Sequence, residues 1–195
     1  MPLTHARRLL TEAATLYDHD PALRQAAHRA ARGAFAGGAR WMSDGLAALR
    51  GEPQPTPPER AWQRWGAFKY GACALASLVW LAALLRSDLG WLAPTVVAPF
   101  YAVEAQMVFL FPLLLDGADA PLRASRAWTL RAGGTARVAL TVLPLAATML
   151  LGGVLGRGFV RSWCLGCVAV LLWYEELRRA EAPAGAALRH QEATG

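Results

Sequence analysis

The chain has 195 residues, 55% of them hydrophobic and 17% charged, with 20 Lys+Arg against 14 Asp+Glu for a net charge of +6. That much apolar side chain excludes a disordered chain, three cysteines exclude a disulfide-rich scaffold, and several apolar runs long enough to cross a bilayer exclude an ordinary soluble globule. What remains is an all-α integral membrane protein, with four transmembrane helices and an N-terminal cytosolic amphipathic helical segment. Two parts follow: residues 1–60 as a membrane-surface helical segment ending in a Pro-rich linker, and 61–195 as the transmembrane domain with a short cytosolic tail.

The N-terminal residues carry arginines and acids where a cleavable signal would be apolar, so no signal peptide is expected. Leu3, Leu9, Leu10, Ala13, Leu16 and Tyr17 recur near helical spacing. Asp20-Pro21 then supplies a cap and a first-turn proline for a basic helix through Arg24, His28, Arg29 and Arg32. Gly37-Gly38 is expected to interrupt it, with a further piece over 40–49. Arginines on such a helical hairpin suit the anionic inner leaflet. Residues 51–60, with four prolines, read as a stiff linker.

Four spans follow, at 66–85, 91–115, 138–155 and 159–177. The first holds one charge, Lys69, near an end, where it can snorkel. The second is interrupted by Glu104 and by Pro94, Pro99 and Pro112. The fourth is crowded by Arg161, Glu175 and Glu176, and only Gly156-Arg157-Gly158 separates it from the third, so those two form an antiparallel hairpin. With the N-terminus inside, eleven Arg and Lys residues near the span ends are cytosolic, against Arg86, Arg157 and Arg161 outside. Both termini are therefore expected in the cytoplasm. Trp62, Trp65, Trp91, Trp163 and Trp173 fall where interfacial aromatic belts lie. The basic charge thus has a membrane explanation, and no nucleic-acid-binding face is recognised.

The longest loop, 116–135, contains a helix starting near Pro121. Its Leu122, Trp128 and Leu130 are expected to face lipid while Arg123, Arg126 and Arg131 meet headgroup phosphates. Its opening, Asp116-Gly117-Ala118-Asp119-Ala120, superficially resembles the DGxxAR signature of CDP-alcohol phosphotransferases. Leu113 and Pro121 stand where that family needs an aspartate and an arginine, and the two further aspartates are missing, so its metal-carboxylate cluster cannot be built.

Three features are candidates for function. Glu104 sits nearest the centre of the second span, where a charge must be neutralised, paired or hydrated. Hydroxyl or amide partners are expected from Ser77, Thr141, Thr148, Tyr101 or Gln106, since no lysine or arginine is read at its depth. Glu104, Gln106 and Tyr101 thus form an intramembrane polar site, structural in one reading and an ion or proton path in another. The second feature is Cys164 and Cys167, a CxxC at the start of the fourth span, which is either a redox pair or two small buried side chains. Trp163-Cys164-Leu165-Gly166-Cys167 is similar to the fourth-helix redox pair of vitamin K epoxide reductases, which exchange electrons with a quinone. The second, loop-borne cysteine pair of that family is missing here, and the other cysteine, Cys73, lies in the first span. The third feature is Gly152 and Gly156, a GxxxG step for close helix packing against the fourth span.

The four histidines lie in the tails, so no haem or quinone ligation inside the bilayer is expected; no metal site is read, and the cofactor stays unassigned. Nineteen arginines against one lysine suit a GC-rich bacterial genome. The expected function is a non-catalytic accessory or assembly subunit of a bacterial inner-membrane complex, with lipid headgroups and other membrane subunits as partners. The alternatives are an exterior-facing CxxC thiol oxidoreductase and a small oligomeric transporter or channel component using Glu104.

Overall fold

A computed structural model describes residues 1–53 and 59–192. Nine α-helices follow one another among them, with no strand: α1 Pro2–His19, α2 Pro21–Ala30, α3 Ala34–Arg50, α4 Glu59–Arg86, α5 Val97–Gln106, α6 Leu110–Leu115, α7 Pro121–Arg131, α8 Thr135–Gly152 and α9 Phe159–Glu192. Residues 54–58 of the Pro-rich linker lie outside the described residues.

Three segments are long and apolar enough to cross a membrane: Arg60–Arg86, Gly90–Leu115 and Thr135–Gly156. The expected fourth, at the start of α9, is not among them. Its apolar side chains instead make α9 the central helix of the bundle, packed on α1, α3 and α8. Cys164, Leu165, Val168, Ala169, Leu171, Trp173 and Tyr174 are all buried by protein. A helix that is apolar all round is what a protein core requires as well as what a bilayer requires.

The first two spans pair as an antiparallel hairpin whose contacts mark off its length. Trp62 stacks on Phe111 at 5.4 Å, Ser77 Oγ donates to the Val96 carbonyl at 2.9 Å, and Trp80 Nε1 donates to Thr95 Oγ1 at 2.9 Å. The proline-rich start of the second span becomes a tight 3-10 turn over Gly90–Val96, and Pro99 falls in the first turn of α5, where its missing N–H costs nothing. Between residues 74 and 98 only Leu84 is buried, so this end of the hairpin projects from the body as an apolar prong.

The N-terminal helices depart from the sequence-based expectation. They are packed into the bundle rather than set apart on a leaflet. Asp20 caps α2 as read, accepting from the Leu23 N–H at 3.0 Å. Gly37-Gly38 does not end a helix, because the break falls at Ala31–Gly33 and α3 runs through both glycines. Gly37 sits where any Cβ would strike the Ala30 carbonyl, so the glycine serves close approach instead of interruption. α1 buries Ala6, Leu9, Ala13 and Tyr17 against α8 and α9. It runs antiparallel to α9, with Arg8 on Glu176 at 2.7 Å near one end and Asp18 on Arg161 at 2.7 Å near the other. α3 returns alongside α9, its Gly45 against Leu171.

The loop helix α7 departs from the expectation at Trp128, while its arginines and Leu130 are exposed as expected. Pro121, Ser125, Trp128 and Thr129 are buried, while Arg123, Arg126 and Leu130 point outward. Trp128 packs on Tyr174 at 4.7 Å and faces Phe109 at 6.2 Å, so it is a core residue, not a lipid-facing one. Trp62 and Trp173 are likewise in the core rather than in an interfacial belt, whereas Trp91 is exposed.

Candidate functional site

Two polar nodes lie inside the helical body. The first is on the α4–α5 hairpin. Lys69 Nζ stands 2.8 Å from Glu104 Oε1, with the lysine side chain 4% and the glutamate 14% exposed. The Cys73 thiol, one turn along α4, approaches Glu104 Oε2 at 3.7 Å. The ammonium also lies 5.0 Å from the Phe111 ring and 5.5 Å from Tyr70, whose faces attract a desolvated cation. The expectation that no lysine or arginine matches Glu104 in depth is therefore wrong: the antiparallel register brings Lys69 level with it. The hydroxyls expected as partners are engaged elsewhere, Ser77 on Val96, Thr141 on the Arg137 carbonyl and Thr148 on the Pro144 carbonyl.

Gln106 and Tyr101 do not join this pair. Gln106 Nε2 donates to Thr135 Oγ1, tying α5 to the start of α8. Tyr101 lines an open apolar groove of about 640 Å³ between α5 and α8, with Ala98, Ala102, Ala136 and Ala139. Beyond Gln106 the span breaks. The Leu110 N–H bonds the Met107 carbonyl at 3.1 Å instead of the Gln106 carbonyl. Ser125 Oγ takes over the Gln106 carbonyl at 2.8 Å, and Thr129 Oγ1 takes the Ala105 carbonyl at 2.9 Å. Hydroxyls of α7 thus satisfy backbone acceptors that an apolar surrounding would leave stranded.

The second node joins three elements at the end of the body where α3 and α6 stop. Arg50, the last residue of α3, makes paired bonds to Asp116 at 2.6 and 3.0 Å and bonds Glu175 of α9 through Nε at 2.9 Å and Nη2 at 2.6 Å. The Tyr174 hydroxyl donates to Asp116 at 2.6 Å, and Arg178 reaches the other Glu175 oxygen at 2.9 Å. Burial raises the Asp116 pKa, but the bonds from Arg50 and Tyr174 outweigh it and hold the carboxyl below its ordinary value. Burial opposes charging of Arg50, and its two carboxylate partners reverse that and raise its pKa. An open cavity of about 580 Å³ adjoins the node, lined also by Leu49, Glu52, Pro53 and Arg179. The sequence reading named none of these as site residues. The signal available was an arginine ending α3, a carboxylate capping α6 and a carboxylate at the end of the apolar run of α9.

Two of the remaining sequence candidates border the nodes: Cys167 is close enough to feel the charges of Lys69 and Glu104, and Trp128 packs on Tyr174. Cys164 is buried, Cys167 half-buried, and both are free thiols. Gly152 lies against Ser162, where a Cβ would collide with the hydroxyl. Gly156 instead sits in the turn at φ 76° with open space around it, so its role is conformational and not close packing. Arg123 and Arg126 form the outer face of α7, while the Arg131 guanidinium lies over the Trp128 ring at 5.9 Å. No group of three or more His, Cys, Asp or Glu side chains capable of holding a metal occurs among the described residues.

Comparison with known families, characterised proteins and solved structures gives no match.

Proposed function

We propose that the protein is a non-catalytic accessory or assembly subunit of a bacterial inner-membrane complex. In this reading the three apolar segments cross the bilayer against lipid, and α1 and α9, packed along α8, lie at its depth. The observation that carries it is the Lys69–Glu104 pair, in which the acid of the spans is spent on holding two helices together. A carboxylate bound to an internal ammonium is a poor carrier of protons or ions, which weighs against the transporter reading. Burial of Cys164 weighs against an exterior-facing thiol exchanger. Contact surface, by contrast, is plentiful. Leu75, Leu78 and Val79 of the prong and Leu150, Leu151 and Val154 at the end of α8 are all more than half exposed. Such a surface is available to lipid and to neighbouring subunits.

The orientation proposed places the end bearing Arg60, Arg64, Arg123, Arg126, Arg137, Arg178 and Arg179 in the cytoplasm, by the excess of positive charge there. The outward arginines of α7 then meet anionic headgroups. Native electrophoresis of membranes with and without the chain tests the assignment. A larger complex that loses mass or abundance without it supports an assembly role, and it should persist with the charge-swapped pair Lys69→Glu/Glu104→Lys. A chain that migrates alone, with no complex altered by its loss, overturns the reading.

A further inference from the structure

Among the described helices, α1 has an outer face at odds with its position. The ion pairs Arg8–Glu176 and Asp18–Arg161 fix it lengthwise along α9, and its buried side also packs on α8. With α8 crossing the bilayer, which this inference takes from the proposed function above, α1 lies at the same depth. Apart from Leu3 near its start, its exposed residues are nonetheless polar, among them Thr4, Arg7, Arg8, Thr11, Glu12 and Thr15 on successive turns. Hydrocarbon does not cover such a face, because charged side chains within the bilayer are strongly disfavoured unless paired or hydrated.

We propose that this face is covered by the same face of a second copy, in a two-fold dimer whose axis runs along the membrane normal. Two copies inserted in the same sense can be related by no other two-fold axis, so the two α1 helices run parallel. The face is suited to that arrangement. Thr4, Arg8, Thr11 and Thr15 follow the alternating four- and three-residue spacing of a seam between parallel helices. The hydroxyls of Thr11 and Thr15 are bonded to their own helix, to the Arg7 carbonyl at 3.0 Å and the Thr11 carbonyl at 3.1 Å. The seam is thus satisfied within each chain, Arg8 included, since its guanidinium bonds Glu176 at 2.7 Å and Glu12 at 3.1 Å. Arg7 and Glu12 flank it on opposite sides, five residues apart, the offset at which flanking charges meet across a parallel seam. Within the chain Arg7 has no ion-pair partner among the described residues, and Glu12 is held by Arg8 alone, at 3.1 Å. The two-fold gives each Arg7 the Glu12 of the other copy, twice over.

Oxidative cross-linking of full-length Thr11→Cys protein in native membranes tests this. The expected result is a disulfide-linked dimer for Thr11→Cys and none for Leu150→Cys at similar depth on the apolar side. In nanodiscs, Arg7→Glu and Glu12→Arg are each expected to weaken the dimer tenfold or more by mass photometry, and the double swap is expected to restore it. A monomer in nanodiscs, a Thr11→Cys thiol that reacts with a water-soluble maleimide without cross-linking, or a cross-link to a different polypeptide would each overturn the proposal. Labelling of Ser87→Cys with an impermeant maleimide and resistance to alkaline extraction report insertion separately. Loss of the cross-link with insertion intact therefore counts against the dimer alone, and an extractable chain counts against the spanning reading too.

Discussion

Replacing Glu104 by glutamine removes one charge and almost no volume, which makes it a sharp probe of the pair at the heart of the α4–α5 hairpin. Had the partner been a hydroxyl or amide, glutamine would serve nearly as well as glutamate. The partner is Lys69, 4% exposed and 2.8 Å away. Glutamine leaves its ammonium in the interior with a neutral amide oxygen and the rings of Phe111 and Tyr70, 5.0 and 5.5 Å distant, in compensation. Removing one member of a buried pair costs about 3–5 kcal/mol, whereas replacing both by apolar residues of similar size is often neutral. Glu104→Gln is therefore expected to cost about 3 kcal/mol. Lys69→Met is expected to cost about 2 kcal/mol, since the stranded carboxylate is the better hydrated of the two at 14% exposure. The double variant Lys69→Met/Glu104→Leu should fall within about 1 kcal/mol of the natural chain. Equilibrium unfolding in mixed micelles, run as a double-mutant cycle, measures the coupling. Single costs that simply add in the double variant would show that the two charges do not compensate each other and would refute the argument.

Trp128→Ala, which empties a site 8% exposed against Tyr174 and Phe109, should cost about 3–5 kcal/mol by the same assay. Leu130→Ala on the outer face should change stability by less than about 0.5 kcal/mol. Asp116 has its folded pKa held below 3.8, so its contribution to stability is present above that value and is lost as pH falls through the folded pKa. The Asp116→Asn variant should melt lower at neutral pH and show a flatter acid limb in a pH series of thermal scans. Gly152→Ala should be destabilising through collision with Ser162, and Ser162→Gly should recover much of the loss. Gly156→Ala should cost about 1–2 kcal/mol from its left-handed backbone, a penalty that Ser162→Gly leaves unchanged.

The apolar runs announced helices of membrane length because hydropathy and helical continuity are local properties, and the three spans follow from them. The fourth run illustrates the limit of that signal. Residues 164–174 are apolar on every side because α1, α3 and α8 pack around them, and side-chain chemistry is the same whether protein or lipid provides the cover. The stripe Leu9, Ala13 and Tyr17 was legible on α1, but which surface it met depended on α8 and α9, more than a hundred residues away. α7 was ambiguous for a simpler reason. Leu122 and Leu130 lie on one side and Trp128 on another, and hydroxyls needed at the broken span, Ser125 and Thr129, decided between them. The Lys69–Glu104 pair could have been found, since both residues lie at comparable distances from the turn between the first two spans. The second node was harder, since Arg50, Asp116 and Glu175 meet only after three separate elements have packed.

The break after Gln106 also bears on how the chain enters a membrane during synthesis. A continuous helix satisfies its own backbone and can partition as soon as it leaves the ribosome. The second span cannot do this, because the carbonyls of Ala105 and Gln106 depend on Ser125 and Thr129, made some twenty residues later. Until that stretch emerges and folds back, lateral release of the span into lipid would strand both acceptors. In the spanning reading proposed above, its insertion is thus tied to the synthesis of α7, and the first two spans, joined by Lys69 and Glu104, are held together at the translocation machinery until then. Changing Ser125 and Thr129 to alanine should accordingly disturb biogenesis before it disturbs any contact visible on the finished surface.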